Sequence, residues 1–142
     1  MTNKRAGPSL FLMELIFSIL VFSLCAGVCL TAFLKADRMS RDARDLNGAV
    51  LAAQTLAESF KAEGNAAFED LGCRKTGEDT YEIAYDANWL PTTETDAAYH
   101  AGVVIIRGDA VWTANIDVRY GDGEVYTLTA ARAKADEGSG MR

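Results

Sequence analysis

The hydrophobic and polar positions divide the chain into regions with different periodicities. About twenty residues between Leu15 and Leu34 carry no charge, while charged residues lie almost entirely outside this run. As a helix, such a run rises about 30 Å, which matches the thickness of a bilayer's hydrocarbon core. A cleaved secretory signal would share the basic start at Lys4 and Arg5, but its apolar centre usually spans only about 7–15 residues. The pattern therefore favours one membrane-spanning helix, placed at residues 10–34.

Beyond Leu34 the apolar positions recur at alternating spacings of four and three. This spacing predicts that the helix continues in amphipathic form over residues 35–62 and turns one apolar stripe towards a core. A free-standing coiled coil is the rival interpretation, but the stripe is rich in alanine and lasts only about three heptads. Gly64-Asn65 supplies a stop signal, so the continuous helix would be on the order of 80 Å long. The stripe consists of Met39, Ala43, Leu46, Val50, Ala53, Ala57 and Phe60.

After residue 63 the period changes to two, which is typical of β-strands with one buried face. Four runs predict about four antiparallel strands, and Asp122-Gly123 between the last two is a hairpin signal because both residues tolerate positive φ. The predicted fold class is α+β, with the long helix packed on a small antiparallel sheet at residues 63–132. Residues 133–142, rich in glycine and charge, are predicted to be a flexible tail. The four runs lie at Thr80–Tyr85, Val103–Ile106, Trp112–Tyr120 and Val125–Ala130.

The charge balance is acidic, with 20 Asp and Glu against 14 Lys and Arg, a net charge of −6. Nucleic acid is therefore not an expected partner, because phosphate binding needs a clustered basic surface. Cys25, Cys29 and Cys73 do not form a disulfide framework, since two of them lie in the apolar run. Basic residues flank both ends of that run, so charge counting leaves its orientation open.

Catalytic and cofactor chemistry has little to build from in this sequence. His100 is the one histidine, with no Cys or His at ligand spacing, and we expect it to be exposed at a strand edge. Asp117, Asp122 and Glu124 cluster around the hairpin, but they lack the spacing of a known calcium loop. No phosphate-binding glycine pattern occurs. We therefore expect no enzyme activity, no metal, no cofactor and no small-molecule substrate.

Glu14 is an acid placed between Leu10-Phe11-Leu12-Met13 and the apolar run that starts at Leu15. At the edge of a bilayer or inside it, an unpaired carboxylate costs about 2.5–3.5 kcal/mol, so such a residue is a functional hypothesis by default. The alternative is a solvated acid just outside the span. The span itself offers no positive partner.

The segment Ser9-Leu10-Phe11-Leu12-Met13-Glu14-Leu15, after a short basic leader and before a long apolar helix, resembles the N-terminus of type IV pilins and type II secretion pseudopilins. The resemblance implies that residues 1–9 are a leader, that a prepilin peptidase cuts between Ser9 and Leu10, and that Leu10 is then N-methylated. The family usually has Gly before the cut and Phe after it, where this chain has Ser9 and Leu10. A cut after Gly7 would move Glu14 out of register, which favours Ser9.

The same resemblance gives Glu14 a partner, because the acid pairs with the freed N-terminal amine of a neighbouring subunit and sets the register of assembly. It implies a minor pilin or pseudopilin anchored in the cytoplasmic membrane, with a cytoplasmic leader and an extracytoplasmic C-terminal domain. Expected partners are membrane lipid, other pilin-like subunits and the peptidase. The alternative is a single-pass protein that anchors a small extracytoplasmic binding domain without assembly. Which filament system is involved, and whether it serves secretion, adhesion or DNA uptake, is left open by the sequence.

Overall fold

A computed structural model of the chain describes residues 6–134, with Ala6 described by its backbone alone. The first five residues of the leader and most of the tail predicted at 133–142 lie outside the described residues. The chain divides into two compact units between Ala43 and Arg44. A single helix, α1, runs from Ala6 to Glu63 and contributes to both units.

In the first unit α1 carries the apolar run, and every residue from Gly7 to Ala43 is exposed in the isolated chain. Among the described residues, α1 is the one helix long and apolar enough to cross a membrane. It begins at Ala6, earlier than the expected start at Leu10. Pro8 is compatible with this start, because the first turn of a helix has no internal acceptor for the N–H that proline lacks.

The second unit contains an antiparallel sheet of six strands, which confirms the predicted α+β class. Its order is β1-β2-β4-β5-β6, and β3 pairs with β2 beside β1. Two strands were not predicted, because β1 and β3 have two residues each and show no alternation. A short helix, α2, covers Ala66–Asp70, and a 3₁₀ helix covers Glu94–Asp96. The strands are β1 (Arg74–Lys75), β2 (Thr80–Tyr85), β3 (Pro91–Thr92), β4 (Tyr99–Arg107), β5 (Val111–Tyr120) and β6 (Gly123–Ala133).

The last hairpin has its turn one residue earlier than predicted. Tyr120 pairs with Gly123, so Gly121 and Asp122 form the two-residue loop. Gly121 supplies the positive φ, at 56°, while Gly123 is already the first residue of β6. A glycine at the first loop position relieves the strain of a tight hairpin turn. The hairpin was therefore predicted correctly, but its turn consists of Gly121 and Asp122 and not of Asp122 and Gly123.

The core lies between the last four turns of α1 and one face of the sheet. Of the predicted stripe, Ala53, Ala57 and Phe60 are buried, whereas Met39, Ala43 and Leu46 are exposed and Val50 is half-buried. A repeat of seven residues drifts by about 20° per heptad on a straight helix, so its first members do not share the face of its last ones. The buried helix residues that this stripe omitted are Ala49, Ala52 and Leu56.

The end of α1 is fixed by its sequence and by an aromatic contact. Gly64, at φ 76°, donates its N–H to the Phe60 carbonyl at 2.9 Å and ends the helix as predicted. Phe60 stacks on Phe68 of α2 with ring centroids 6.0 Å apart, and Phe68 in turn lies 5.0 Å from Tyr81. The sheet therefore depends on the helix for its core, as expected for so short an aqueous region.

Candidate membrane and assembly segment

The residues predicted to be processed lie in the first turns of α1. Ser9, Leu10 and Glu14 are all exposed, with Leu10 at 66% of its full exposure. The Ser9–Leu10 peptide bond is part of the helix that starts at Ala6. Glu14 follows Leu10 by four residues, which places the two on the same helix face one turn apart.

Large apolar side chains surround α1 on all sides between Leu10 and Leu34. Phe11, Phe22 and Phe33 are 68%, 75% and 71% exposed, and the intervening leucines and isoleucines are also exposed. Soluble monomers rarely expose apolar patches larger than a few hundred Å². A helix that is apolar all round belongs in a bilayer or among other helices.

Two hydroxyl side chains inside this segment bond to carbonyl groups of their own helix. Ser23 Oγ donates to the Ile19 carbonyl and Thr31 Oγ1 donates to the Val28 carbonyl, both at 2.8 Å. Such bonds let a hydroxyl enter hydrocarbon without an unmet donor. Cys25 and Cys29 are exposed free thiols one turn apart. Glu14 differs from these groups, because it has no ion-pair partner among residues 6–134.

His100 does not lie at a strand edge, contrary to the sequence expectation, because β4 pairs with β2 on one side and β5 on the other. Its side chain is 35% exposed, and Nδ1 lies 3.5 Å from Glu82 Oε1. The error arose because β4 begins at Tyr99, four residues before its β-branched run. The alternation over Tyr99, Ala101 and Val103 was the signal that could have extended the strand.

A charged cluster that sequence reasoning missed borders a surface groove of about 600 Å³ near His100. Arg74 contacts both Glu82, at 3.4 Å, and Glu94 of the 3₁₀ helix. The hydrogen bond to Glu94 and the charge of that carboxylate raise the pKa of Arg74. Because one guanidinium contacts both carboxylates, the cluster ties the β1 and 3₁₀ segments together, and its exposure limits the free energy that these ion pairs contribute.

An aromatic cluster fixes the loop between β2 and β3 against the helix. Trp89 stacks on Tyr99 with centroids 4.0 Å apart and takes the left-handed backbone conformation, at φ 62°. Asp86 Oδ1 holds this loop by accepting from the N–H groups of Asn88 and Leu90, at 2.8 and 3.0 Å. The loop thereby holds its half-buried tryptophan against Tyr99 of the sheet.

Tyr99 also joins the sheet to the helix through its hydroxyl, which donates to Asp45 Oδ1 at 2.8 Å. Burial, together with this hydrogen bond, raises the pKa of Tyr99 to about 12. Burial raises the pKa of the Cys73 thiol to about 11, so this cysteine is an inert core residue.

The acids around the last hairpin do not assemble into a metal site. Asp117 pairs with Arg119 at 2.6 Å, and Asp122 and Glu124 are exposed. Within residues 6–134 there is no group of three or more His, Cys, Asp and Glu side chains placed to hold a metal ion.

Comparison with protein-family models, curated proteins and solved structures found no match to this chain. The architecture, a long apolar N-terminal helix and an antiparallel sheet, is compatible with a pilin-like fold.

Proposed function

We propose that this protein is a pilin-like structural subunit, a minor pilin or pseudopilin, which is anchored in the cytoplasmic membrane by α1 and assembles into a filament through that helix. The observation that carries the proposal is the exposed apolar surface of α1 with one acid, Glu14, near its start. Lipid covers this surface before assembly, and neighbouring helices cover it afterwards.

Glu14 is the residue that distinguishes assembly from simple anchoring. An anchor gains nothing from a carboxylate that borders hydrocarbon, since its burial is costly. In a filament, a neighbouring subunit's N-terminal amine neutralises the carboxylate, and the pair forms at only one axial offset between helices. Cleavage after Ser9 would create this amine at Leu10 and leave 25 residues, Leu10 to Leu34, to span about 38 Å.

Two polar side chains of the segment suit both environments. Ser23 and Thr31 bond to carbonyl groups of their own helix, so neither hydroxyl brings an unmet donor into lipid or into a contact between helices. The second unit then supplies a folded domain on the extracytoplasmic side of the membrane.

The test compares Glu14→Ala with Glu58→Ala, an exposed acid on the aqueous part of the same helix. Both variants are expressed with the native filament system and a prepilin peptidase, and the sheared filament fraction is quantified against the membrane fraction. We expect Glu14→Ala to stay in the membrane and Glu58→Ala to enter the filament fraction like the wild type. Equal incorporation of all three proteins would refute the register role of Glu14 and favour a simple anchor.

The thiols of the span provide a second readout of assembly. Cys25 and Cys29 are exposed, whereas Cys73 is buried, so an oxidant should crosslink neighbouring copies only through the two span cysteines. We expect crosslinked dimers in membranes that contain the assembly system and none after Cys25→Ser/Cys29→Ser. A chain that remains monomeric in every preparation contradicts helix-mediated assembly.

A further inference from the structure

The charged residues that follow the apolar run are arranged by depth. At 1.5 Å per residue beyond Leu34, Lys35 lies about 1.5 Å and Arg38 about 6 Å further along the helix. The polar headgroup layer on each side of a bilayer is about 5–8 Å thick. Both cations therefore lie at headgroup depth if the span ends at Leu34. They are exposed and three residues apart, so they share one face of α1.

The acids in the same segment are paired or lie deeper in the aqueous phase. Asp37, at about 4.5 Å, falls within the headgroup layer. Its Oδ2 is 3.0 Å from Arg41 Nη2, so that arginine neutralises it. Asp42 lies about 12 Å beyond Leu34, outside the layer. Although it is one turn from Arg38, the two side chains form no ion pair within the described segment.

From this arrangement we infer that Lys35 and Arg38 form a binding surface for the headgroups of anionic phospholipids. The inference rests on the proposed membrane anchoring of α1. Neither cation has an ion-pair partner among residues 6–134. A lipid phosphate at this depth pairs with both cationic side chains. An anionic lipid does this better than a zwitterionic one, because its headgroup carries no cation of its own to neutralise the phosphate. The Asp37–Arg41 pair removes the one charge that would repel such a lipid.

This surface selects lipids by charge and not by shape. Each cation near the membrane surface contributes about a fivefold preference for anionic over zwitterionic lipid. Salt weakens that preference because the side chains are exposed.

A dye on Cys29, five residues before Leu34, reports which lipids surround this end of the span. Cys25→Ser leaves Cys29 as the one reactive thiol of the described span, since the Cys73 thiol is buried. The full chain is reconstituted in phosphatidylcholine bilayers with small amounts of nitroxide-labelled phosphatidylglycerol or nitroxide-labelled phosphatidylcholine. The ratio of the two quenching efficiencies gives the lipid selectivity.

The wild type should be quenched more strongly by phosphatidylglycerol, and Lys35→Gln/Arg38→Gln should lower the selectivity about fivefold for each charge removed. The control Lys61→Gln/Lys75→Gln removes the same charge from the aqueous unit and should keep the wild-type ratio. Equal quenching by both lipids in the wild type, or an unchanged ratio in Lys35→Gln/Arg38→Gln, would overturn the inference alone. Absence of quenching by either lipid would mean that Cys29 is not in a bilayer, and would overturn the proposed anchoring as well.

Discussion

Gly48 is the residue whose replacement should test the packing of the aqueous unit most sharply. An ideal Cβ built on Gly48 would lie 2.1 Å from Nε1 and 2.2 Å from Cε2 of Trp89. These distances are well inside van der Waals contact, so Gly48→Ala forces the indole to move. The indole packs on Tyr99 at 4.0 Å and on Tyr85 at 5.9 Å between ring centroids.

The magnitude follows from two opposing effects. Each aromatic pair contributes about 0.5–1.5 kcal/mol beyond its buried area, so displacing the indole from both partners costs about 1–3 kcal/mol. Alanine in place of glycine inside a helix returns about 0.5–1 kcal/mol. The free energy of unfolding of Gly48→Ala should therefore fall by about 1 kcal/mol, the middle of a range of about 0–2.5 kcal/mol.

Removing the indole should reverse the sign. In a Trp89→Ala background the three atoms nearest to the Gly48 Cβ position are removed, because all three belong to the indole, so Gly48→Ala should stabilise by about 0.5–1 kcal/mol. The assay is urea unfolding of the full chain in detergent micelles, followed by the fluorescence of Trp112, which is present in every variant. Gly27→Ala is the control, since its Cβ would meet nothing within 4 Å. An effect of the same sign and size in both backgrounds would refute the packing argument.

The other predictions concern the core and its titrating groups. Phe60→Ala should lower the free energy of unfolding by about 3–5 kcal/mol, because Phe60 is fully buried against Phe68. Leu51→Ala should change it by less than about 0.5 kcal/mol, since Leu51 is 56% exposed. Comparable urea midpoints for the two variants would contradict the assigned helix face. Cys73 should react with a maleimide at pH 8 only after urea unfolding, because burial raises the pKa of its thiol to about 11. The measurement uses Cys25→Ser/Cys29→Ser protein, and rapid labelling of this variant without urea would contradict the burial of Cys73. Stability should fall as pH rises from about 10 to about 12, because burial raises the pKa of both Tyr85 and Tyr99 to about 12 and the unfolded phenols lose their protons first. Thermal unfolding of Tyr85→Phe/Tyr99→Phe should show a shallower decline over that range, and an identical decline would assign the pH dependence to other groups.

Periodicity was a good guide to those elements that bury one continuous face. Thr80–Tyr85 was predicted with its observed bounds, and the stop at Gly64 ended the helix within one residue of the predicted position. These signals are local, since they depend on alternation and on a glycine that can adopt positive φ. The two-residue strands β1 and β3 carry no such signal, because pairing with β2 alone defines them.

Contacts between distant residues could not be read from the sequence. The closeness of Gly48 to Trp89, and of Arg74 to Glu94, depends on how the loops around β2 return to the helix and the sheet. The position of His100 inside the sheet likewise depends on strand order, which alternation does not specify. By contrast, the exposed apolar surface of α1 between Leu10 and Leu34 could be predicted, because it follows directly from the uncharged run up to Leu34.

If α1 belongs to a processed, assembling subunit, its N-terminus must differ from that of the full-length chain. The protein is purified from membranes of cells with and without a prepilin peptidase, and its intact mass and N-terminal sequence are determined. We expect a terminus at Leu10 carrying one added methyl group, found only when the peptidase is present. A terminus at Met1 or Thr2 in both preparations would contradict it and leave a single-pass anchor with a small folded domain.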